Sequence, residues 1–266
     1  MVAVPENPQN IRNILERLVD LVNVQGFIEN DPVSVPHRYF VKQDIEISAF
    51  FTAIFSWGSR KSIISKSLAL MQLMDDSPYE FILHHTDGDL RRLTTFVHRT
   101  FQTEDLLYFI DFLSRHYRLN PSLESAFYTG DLSKYNQGQA LHWFRCNFFN
   151  VPYALIRTRK HISDPMEGSA CKRLNMFLRW MVRQDDRKVD FGIWKNIPAS
   201  GLMIPLDVHV ERYARRLGLL TRRQRDWKAV EELTNNLRNF DPLDPVKYDY
   251  ALFALGAGCV SMDTVF

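Results

Sequence analysis

The sequence predicts an all-α protein, on three observations. Its long apolar patterns recur at spacings of three and four residues. No series of alternating strands punctuated by glycines interrupts them. With 266 residues, 45% hydrophobic and 24% charged, the chain is long and apolar enough to bury a sizeable core.

The elements follow in order. "DIEISAFFTAIFSW", Asp44 to Trp57, is apolar on most sides and predicts a buried central helix. Gly58 then breaks the chain and Ser59 can cap the next helix, in which Ile63, Leu70, Met71 and Met74 form one face. Further helices are expected over Glu104 to Tyr117, Tyr135 to Phe148 and Trp227 to Asn239. No repeat or flexible linker appears, so any two domains are expected to pack closely.

Composition excludes several classes of function. The N-terminal stretch lacks a basic start followed by an apolar run, and no window approaches about 18 consecutive apolar residues, so a cytoplasmic protein without a membrane span is expected. Cys146, Cys171 and Cys259 are too few and too scattered for a disulfide framework, a zinc ribbon or an iron-sulfur cluster. The eight histidines show no metal-binding spacing, and neither metal nor organic cofactor is expected.

The net charge of +2 hides an asymmetry. Between Asn150 and Lys228 there are 17 Lys and Arg against 8 Asp and Glu, a balance of +9, while the remainder of the chain stands at −7. A basic segment of this kind suits a polyanion, because neutralising phosphates releases counterions. A solvated surface with scattered cations accounts for the same count.

Two stretches concentrate the chemistry. In "MEGSACKRLNMFLRWMVRQDD", Met166 to Asp186, the residues Leu174, Phe177, Leu178, Met181 and Val182 mark one helical face. Arg179 and Arg183 fall within about 20° of Lys172 on the opposite side, which predicts a basic stripe there. Lys172 follows a Gly-Ser-Ala bend in the first turn. In "MIPLDVHVERYARRLGLL", Met203 to Leu220, Asp207 precedes a helix with the stripe Val210, Tyr213, Ala214, Leu217 and can accept hydrogen bonds from its first amides. By themselves, a lysine on a solvated face and a structural cap also fit these residues.

Together the two stretches resemble the helix-hairpin-helix DNA glycosylases of base-excision repair, the superfamily of endonuclease III. In that family a hairpin of the form apolar-Pro-Gly-x-Gly-x-Lys precedes a helix. Met166, Gly168 and Lys172 match its first apolar residue, first glycine and lysine, while Glu167 and Ala170 replace its proline and second glycine. The family's Val-Asp-x-His-x-x-Arg, leading to Arg-Leu-Gly, is similar to Leu206, Asp207, His209, Arg212 and Arg216-Leu217-Gly218. "FFTAIFSWGSRKS" looks like the family's early helix and turn. The similarity spans roughly Asp44 to Cys259 and is specific in the two catalytic stretches. The separation of Lys172 from Asp207 is longer than in endonuclease III, as it is in an archaeal oxoguanine glycosylase branch. Gly256 to Cys259 resembles the entry to the family's iron-sulfur loop, but the other cysteines are missing, so the resemblance is to a bacterial branch without the cluster.

The resemblance implies two packed helical lobes with the hairpin and Asp207 at a cleft between them. The lobes would be discontinuous: residues 43–200 with the hairpin, and residues 1–42 with 201–266 carrying Asp207. It also implies excision of a damaged or mispaired base from double-stranded DNA by a monomer in the bacterial nucleoid, with or without strand cleavage. Asp207 would stabilise the positive charge that builds on the sugar. Lys172 would be the nucleophile, which requires a neutral amine, favoured by desolvation and the positive start of its helix. Gly168, Ser169, Ala170, Arg60, Lys61, Arg179, Arg183, Arg212 and Arg215 are the candidates for holding the DNA backbone. Trp57, Tyr153 and Trp180 are candidates for lining the base pocket or filling the gap. Two other functions fit the same residues: a non-catalytic helix-hairpin-helix DNA-binding protein, and a helical interaction protein.

Overall fold

A computed structural model of the chain describes residues 7–128 and 135–261. Among the described residues the structure is helical, with α1 (Pro8–Val22), α2 (Lys42–Phe55), α3 (Arg60–Leu73), α4 (Pro78–His84), α5 (Asp87–Arg92), α6 (Thr103–Tyr117), α7 (Gln137–Phe148), α8 (Lys172–Val182), α9 (Val208–Arg216), α10 (Trp227–Arg238) and α11 (Tyr248–Ala257), joined in part by short 3-10 turns. Extended pairing among them is confined to the isolated bridges His98 to Phe101 and Ser169 to Asp226. The all-α expectation holds.

Contacts divide the chain into two compact units. One comprises Met1–Phe27, Tyr135–Gly138 and Asp164–Phe266, and the other Ile28–Lys134 and Gln139–Ser163. The division implied by the resemblance has its boundaries after residues 42 and 200. In the contact division α8, with Lys172, falls in the same unit as α9, with Asp207.

In the unit built around α2, that helix buries every residue from Ile45 to Phe55, as its nearly continuous apolar sequence predicts. Phe50, Phe51, Phe109, Phe144 and Phe148 interlock around it, and Phe127 stacks on Phe144 at 4.1 Å. Two buried carboxylates tie loops to this core. Glu46 accepts from the Tyr117 hydroxyl at 2.8 Å and from the Leu123 amide at 3.0 Å. Asp105 accepts from the Thr158 hydroxyl at 2.7 Å and the Gln102 amide at 2.9 Å, and lies 3.3 Å from His161.

In the other unit α11 packs against α9 and α1. Gly256 makes the closest approach, since a Cβ there would lie 2.1 Å from the carbonyl oxygen of His209. The Gly256 carbonyl accepts from Arg212 at 3.2 Å and lies 3.0 Å from Nδ1 of His209, binding the two helices through backbone and side chain together.

Candidate active site

The segment before α8 is a tight, backbone-bonded hairpin. Asp164 accepts from the Met166 amide through its carboxylate at 2.9 Å and from the Ser169 amide through its carbonyl at 3.2 Å. Gly168 closes the turn with a φ of 80°, in the left-handed region that favours glycine. Its carbonyl accepts from the Trp227 amide at 3.3 Å, beside the bridge of Ser169 to Asp226. Cys171 enters α8 with a φ of 48°, a strained conformation for a residue with a side chain, and its amide donates to Ser169 Oγ at 3.2 Å. Lys172 is thereby fixed as the first residue of α8, half-buried. Among the described residues its amine makes no hydrogen bond or ion pair. Gly168 is exposed, with Ser169 and Ala170 half-buried.

Asp207 caps α9. Its Oδ1 accepts from the amides of His209 at 2.8 Å and Val210 at 3.0 Å, which leaves Oδ2 outside the cap. Asp207 is half-buried, while the chain from Leu202 to Leu206 that delivers it is buried throughout.

A polar clamp joins the two stretches. Asn175, one turn into α8, donates from Nδ2 to the carbonyls of Ala170 at 3.2 Å and Ile204 at 3.3 Å. Its Oδ1 accepts from Gln137 at 2.8 Å, and Gln137 in turn accepts from the Met203 amide at 3.0 Å. Both side chains are fully buried. The end of the hairpin and the approach to Asp207 therefore share one hydrogen-bonded unit built on two buried side-chain amides.

The basic stripe expected on α8 is not a solvated face. Arg179 and Arg183 are 5% and 2% exposed. Arg179 pairs with Asp249 of α11 and, at 3.3 Å, with Asp190. Arg183 pairs with Asp185 at 2.8 Å, Asp190 at 3.1 Å and Asp244 at 2.9 Å. The ring of Tyr250 lies under both guanidinium groups, 4.4 Å and 5.5 Å away. These arginines are interior counter-ions and do not face DNA phosphates. Trp180 is corrected in the same way: its side chain is fully buried in the core, so it lines no open pocket.

Asp249 is the residue that sequence reasoning missed. Burial pushes its carboxyl up to about 7; Arg179 pulls it down, Asp207 pushes it up, Lys172 pulls it down and Asp190 pushes it up. A signal existed in "YDYALFALGA", where a single carboxylate interrupts a helix otherwise apolar all round.

The remaining candidates make other bonds or belong to the other unit. Arg212 is exposed and bonded to the Gly256 carbonyl, and Arg215 is held by Glu211 at 2.8 Å and by the Arg223 carbonyl at 2.9 Å. Trp57, Arg60, Lys61 and Tyr153 belong to the other compact unit. There Lys61 is exposed, Arg60 is half-buried, and the guanidinium of Arg99 covers half-buried Trp57 at 4.9 Å. Tyr153 is 53% exposed and donates to Asp111 at 3.0 Å.

Among the described residues no group of three or more His, Cys, Asp or Glu side chains is placed to hold a metal ion, and no helix is long and apolar enough to cross a membrane. Comparison with curated proteins and with solved structures gives no match. A family model described as "Protein of unknown function (DUF2400)" matches residues 31–258, and the chain belongs to that family.

Proposed function

We propose that the protein is a DNA glycosylase that removes a damaged or mispaired base from double-stranded DNA, with Asp207 and Lys172 as its catalytic pair. The observation that supports this proposal is the buried clamp of Asn175 and Gln137, which ties the turn that ends at Lys172 to the backbone that delivers Asp207. Cleavage of an N-glycosidic bond builds positive charge on the sugar, and a fixed carboxylate facing it lowers the barrier. Asp207 is suited to this, because two amides hold Oδ1 and leave Oδ2 for the sugar. Lys172 then adds to the anomeric carbon as the base departs with the bonding electron pair; the resulting adduct opens to a Schiff base and permits strand cleavage. The base has to leave the duplex to be reached. Phosphate contact falls to the exposed hairpin at Gly168 and to Arg212, now that Arg179 and Arg183 are withdrawn.

A panel of duplexes, each bearing one lesion or mismatch, tests this by release of free base. Release from at least one duplex is expected. Asp207→Asn is expected to fold and bind DNA, because an amide oxygen still caps the helix, yet to excise about 100-fold more slowly. Absence of both base release and DNA binding at low salt would leave a helical interaction protein.

A further inference from the structure

The hairpin before α8 has little of its own to attract an anion. From Met166 to Ala170 it carries no cation and one exposed acid, Glu167. Five amides between Met166 and Cys171 are turned inward: those of Glu167 and Ser169 donate to the Asp164 carbonyl at 3.2 Å, that of Gly168 to the Pro165 carbonyl at 2.9 Å, and those of Met166 and Cys171 to the side chains of Asp164 and Ser169. The charge lies next door. The bridge of Ser169 to Asp226 joins the hairpin to the loop between α9 and α10, and the Trp227 amide donates to the Gly168 carbonyl at 3.3 Å. α9 closes on the same loop, because Arg215 donates to the carbonyls of Thr221 at 3.4 Å and Arg223 at 2.9 Å, and Glu211 pairs with Arg225 at 3.2 Å.

From Glu211 to Glu232 the exposed charged residues are all basic: Arg212, Arg216, Arg223, Arg225 and Lys228. The four acids of that stretch are half-buried and turned inward. Glu211 holds Arg215 and Arg225, Asp226 holds Arg222 and caps α10 through the Ala229 amide, Glu231 accepts from the Trp227 indole, and Glu232 accepts from Thr221 and from the Arg222 amide. Arg223 and Lys228 stand three residues before Asp226 and two after it, and their side chains make no hydrogen bond or ion pair among the described residues. No large apolar side chain between residues 211 and 232 is exposed, so the face suits a hydrated polyanion better than a lipid or an apolar protein surface. Beside it, a Cβ at Gly168 would meet nothing within 4 Å, which leaves room for a backbone to approach. We propose that this loop grips the phosphate backbone of duplex DNA: Arg223 and Lys228 each contact a phosphate, while Arg215, Arg222 and Arg225 fix the loop in place. The choice of DNA as the polyanion rests on the glycosylase proposal, but the cationic face itself does not.

Fluorescence anisotropy of an undamaged DNA duplex across a salt series tests this on the full chain. Each phosphate contact contributes about 0.9 to the slope of log affinity against log salt. Arg223→Gln/Lys228→Gln is therefore expected to lower the slope by about 2 and to weaken binding about 60-fold at about 0.1 M salt, with variant and wild type converging towards about 1 M. Arg91→Gln/Lys188→Gln removes the same charge from exposed residues elsewhere and is expected to match the wild type. An unchanged slope in the first variant, or an equal drop in both, overturns the proposal. A second measurement needs no variant: duplex DNA is expected to protect Lys228, and not Lys188, from an amine-reactive reagent, read by peptide mass spectrometry. Equal labelling of Lys228 with and without DNA overturns the proposal. Failure of the wild type to bind the duplex at low salt overturns it as well, and retention on phosphatidylserine vesicles in that case would give the face to a lipid surface. Base release separates this outcome from the catalytic one. A lowered slope with no base released from any duplex removes the glycosylase proposal and leaves the DNA-binding face, while base release with an unchanged slope removes the face alone.

Discussion

Gln137 donates from Nε2 to Oδ1 of Asn175 at 2.8 Å, and neither side chain reaches solvent. Asn175 spends its donors on Ala170 and Ile204, and Gln137 its acceptor on the Met203 amide. The clamp thereby fixes the spacing between the hairpin that ends in Lys172 and the strand-like approach to Asp207. Asn175→Leu keeps the volume and removes the three bonds that Asn175 makes, stranding the buried Ile204 carbonyl, the part-buried Ala170 carbonyl and the Gln137 amide. A loss of about 2–4 kcal/mol in urea unfolding is expected. A loss under about 0.5 kcal/mol would mean that the clamp does not hold the site together.

Gly256→Ala tests the crossing of α9 and α11. The added Cβ would lie 2.1 Å from a backbone oxygen of His209, and backbone cannot swing aside as a long side chain can. The usual helix gain of Ala over Gly, about 1 kcal/mol, is therefore expected to be reversed into a net loss of at least about 2 kcal/mol. A variant with a melting temperature equal to or above the wild type would show that the two helices are free to separate at this point.

Asp105 predicts an acid limit on stability. Burial pushes its carboxyl up, but hydrogen bonds from His161, the Gln102 amide and the Thr158 hydroxyl outweigh burial and hold it at about 2. Because the folded value lies below the ordinary carboxylate value of 3.8, the stabilisation is complete above that value and is lost as pH falls from about 4 towards 2. The amount is about 2 kcal/mol for this fully buried group. Urea midpoints measured between pH 5 and pH 2 check it: Asp105→Asn is expected to be less stable at pH 5 and to lose less than the wild type on acidification. Parallel curves for the two proteins would assign the acid sensitivity to other carboxylates.

The sequence makes some of this legible and conceals the rest for identifiable reasons. The buried run of α2 and the cap at Asp207 are local properties, carried by apolar continuity and by a carboxylate before a helix, and the structure has both. Arg179 and Arg183 illustrate the opposite case. Projection on a helix wheel places them correctly on the side away from Leu174 and Phe177, but a wheel does not reveal what covers that side. The cover is α11 with Asp249 and the loops with Asp185, Asp190 and Asp244. The excess of +9 between Asn150 and Lys228 overstated the free positive charge for the same reason, since Asp244 and Asp249 lie outside that window. Gln137 and Asn175 carry no local signal, because their partners are backbone groups far away in the chain.

Lys172 decides between hydrolysis and covalent chemistry. If its amine attacks the sugar, borohydride is expected to trap a covalent complex on a duplex bearing the recognised lesion, and Lys172→Gln is expected to lose the complex while retaining DNA binding. The substitution leaves the fold intact, because the half-buried side chain makes no hydrogen bond or ion pair among the described residues and lies away from the buried Leu174, Phe177, Leu178, Met181 and Val182. Trapping on an abasic site alone is weaker, since any exposed amine can condense with the sugar aldehyde. The intact lesion is the discriminating substrate, because adduct formation there requires the base to be expelled first. Base release by the wild type without any adduct would assign Lys172 to DNA contact and leave Asp207 to act with water. Equal trapping of wild type and Lys172→Gln would place the nucleophile on another amine, and the turn at Gly168 would then serve only to shape the entry to α8.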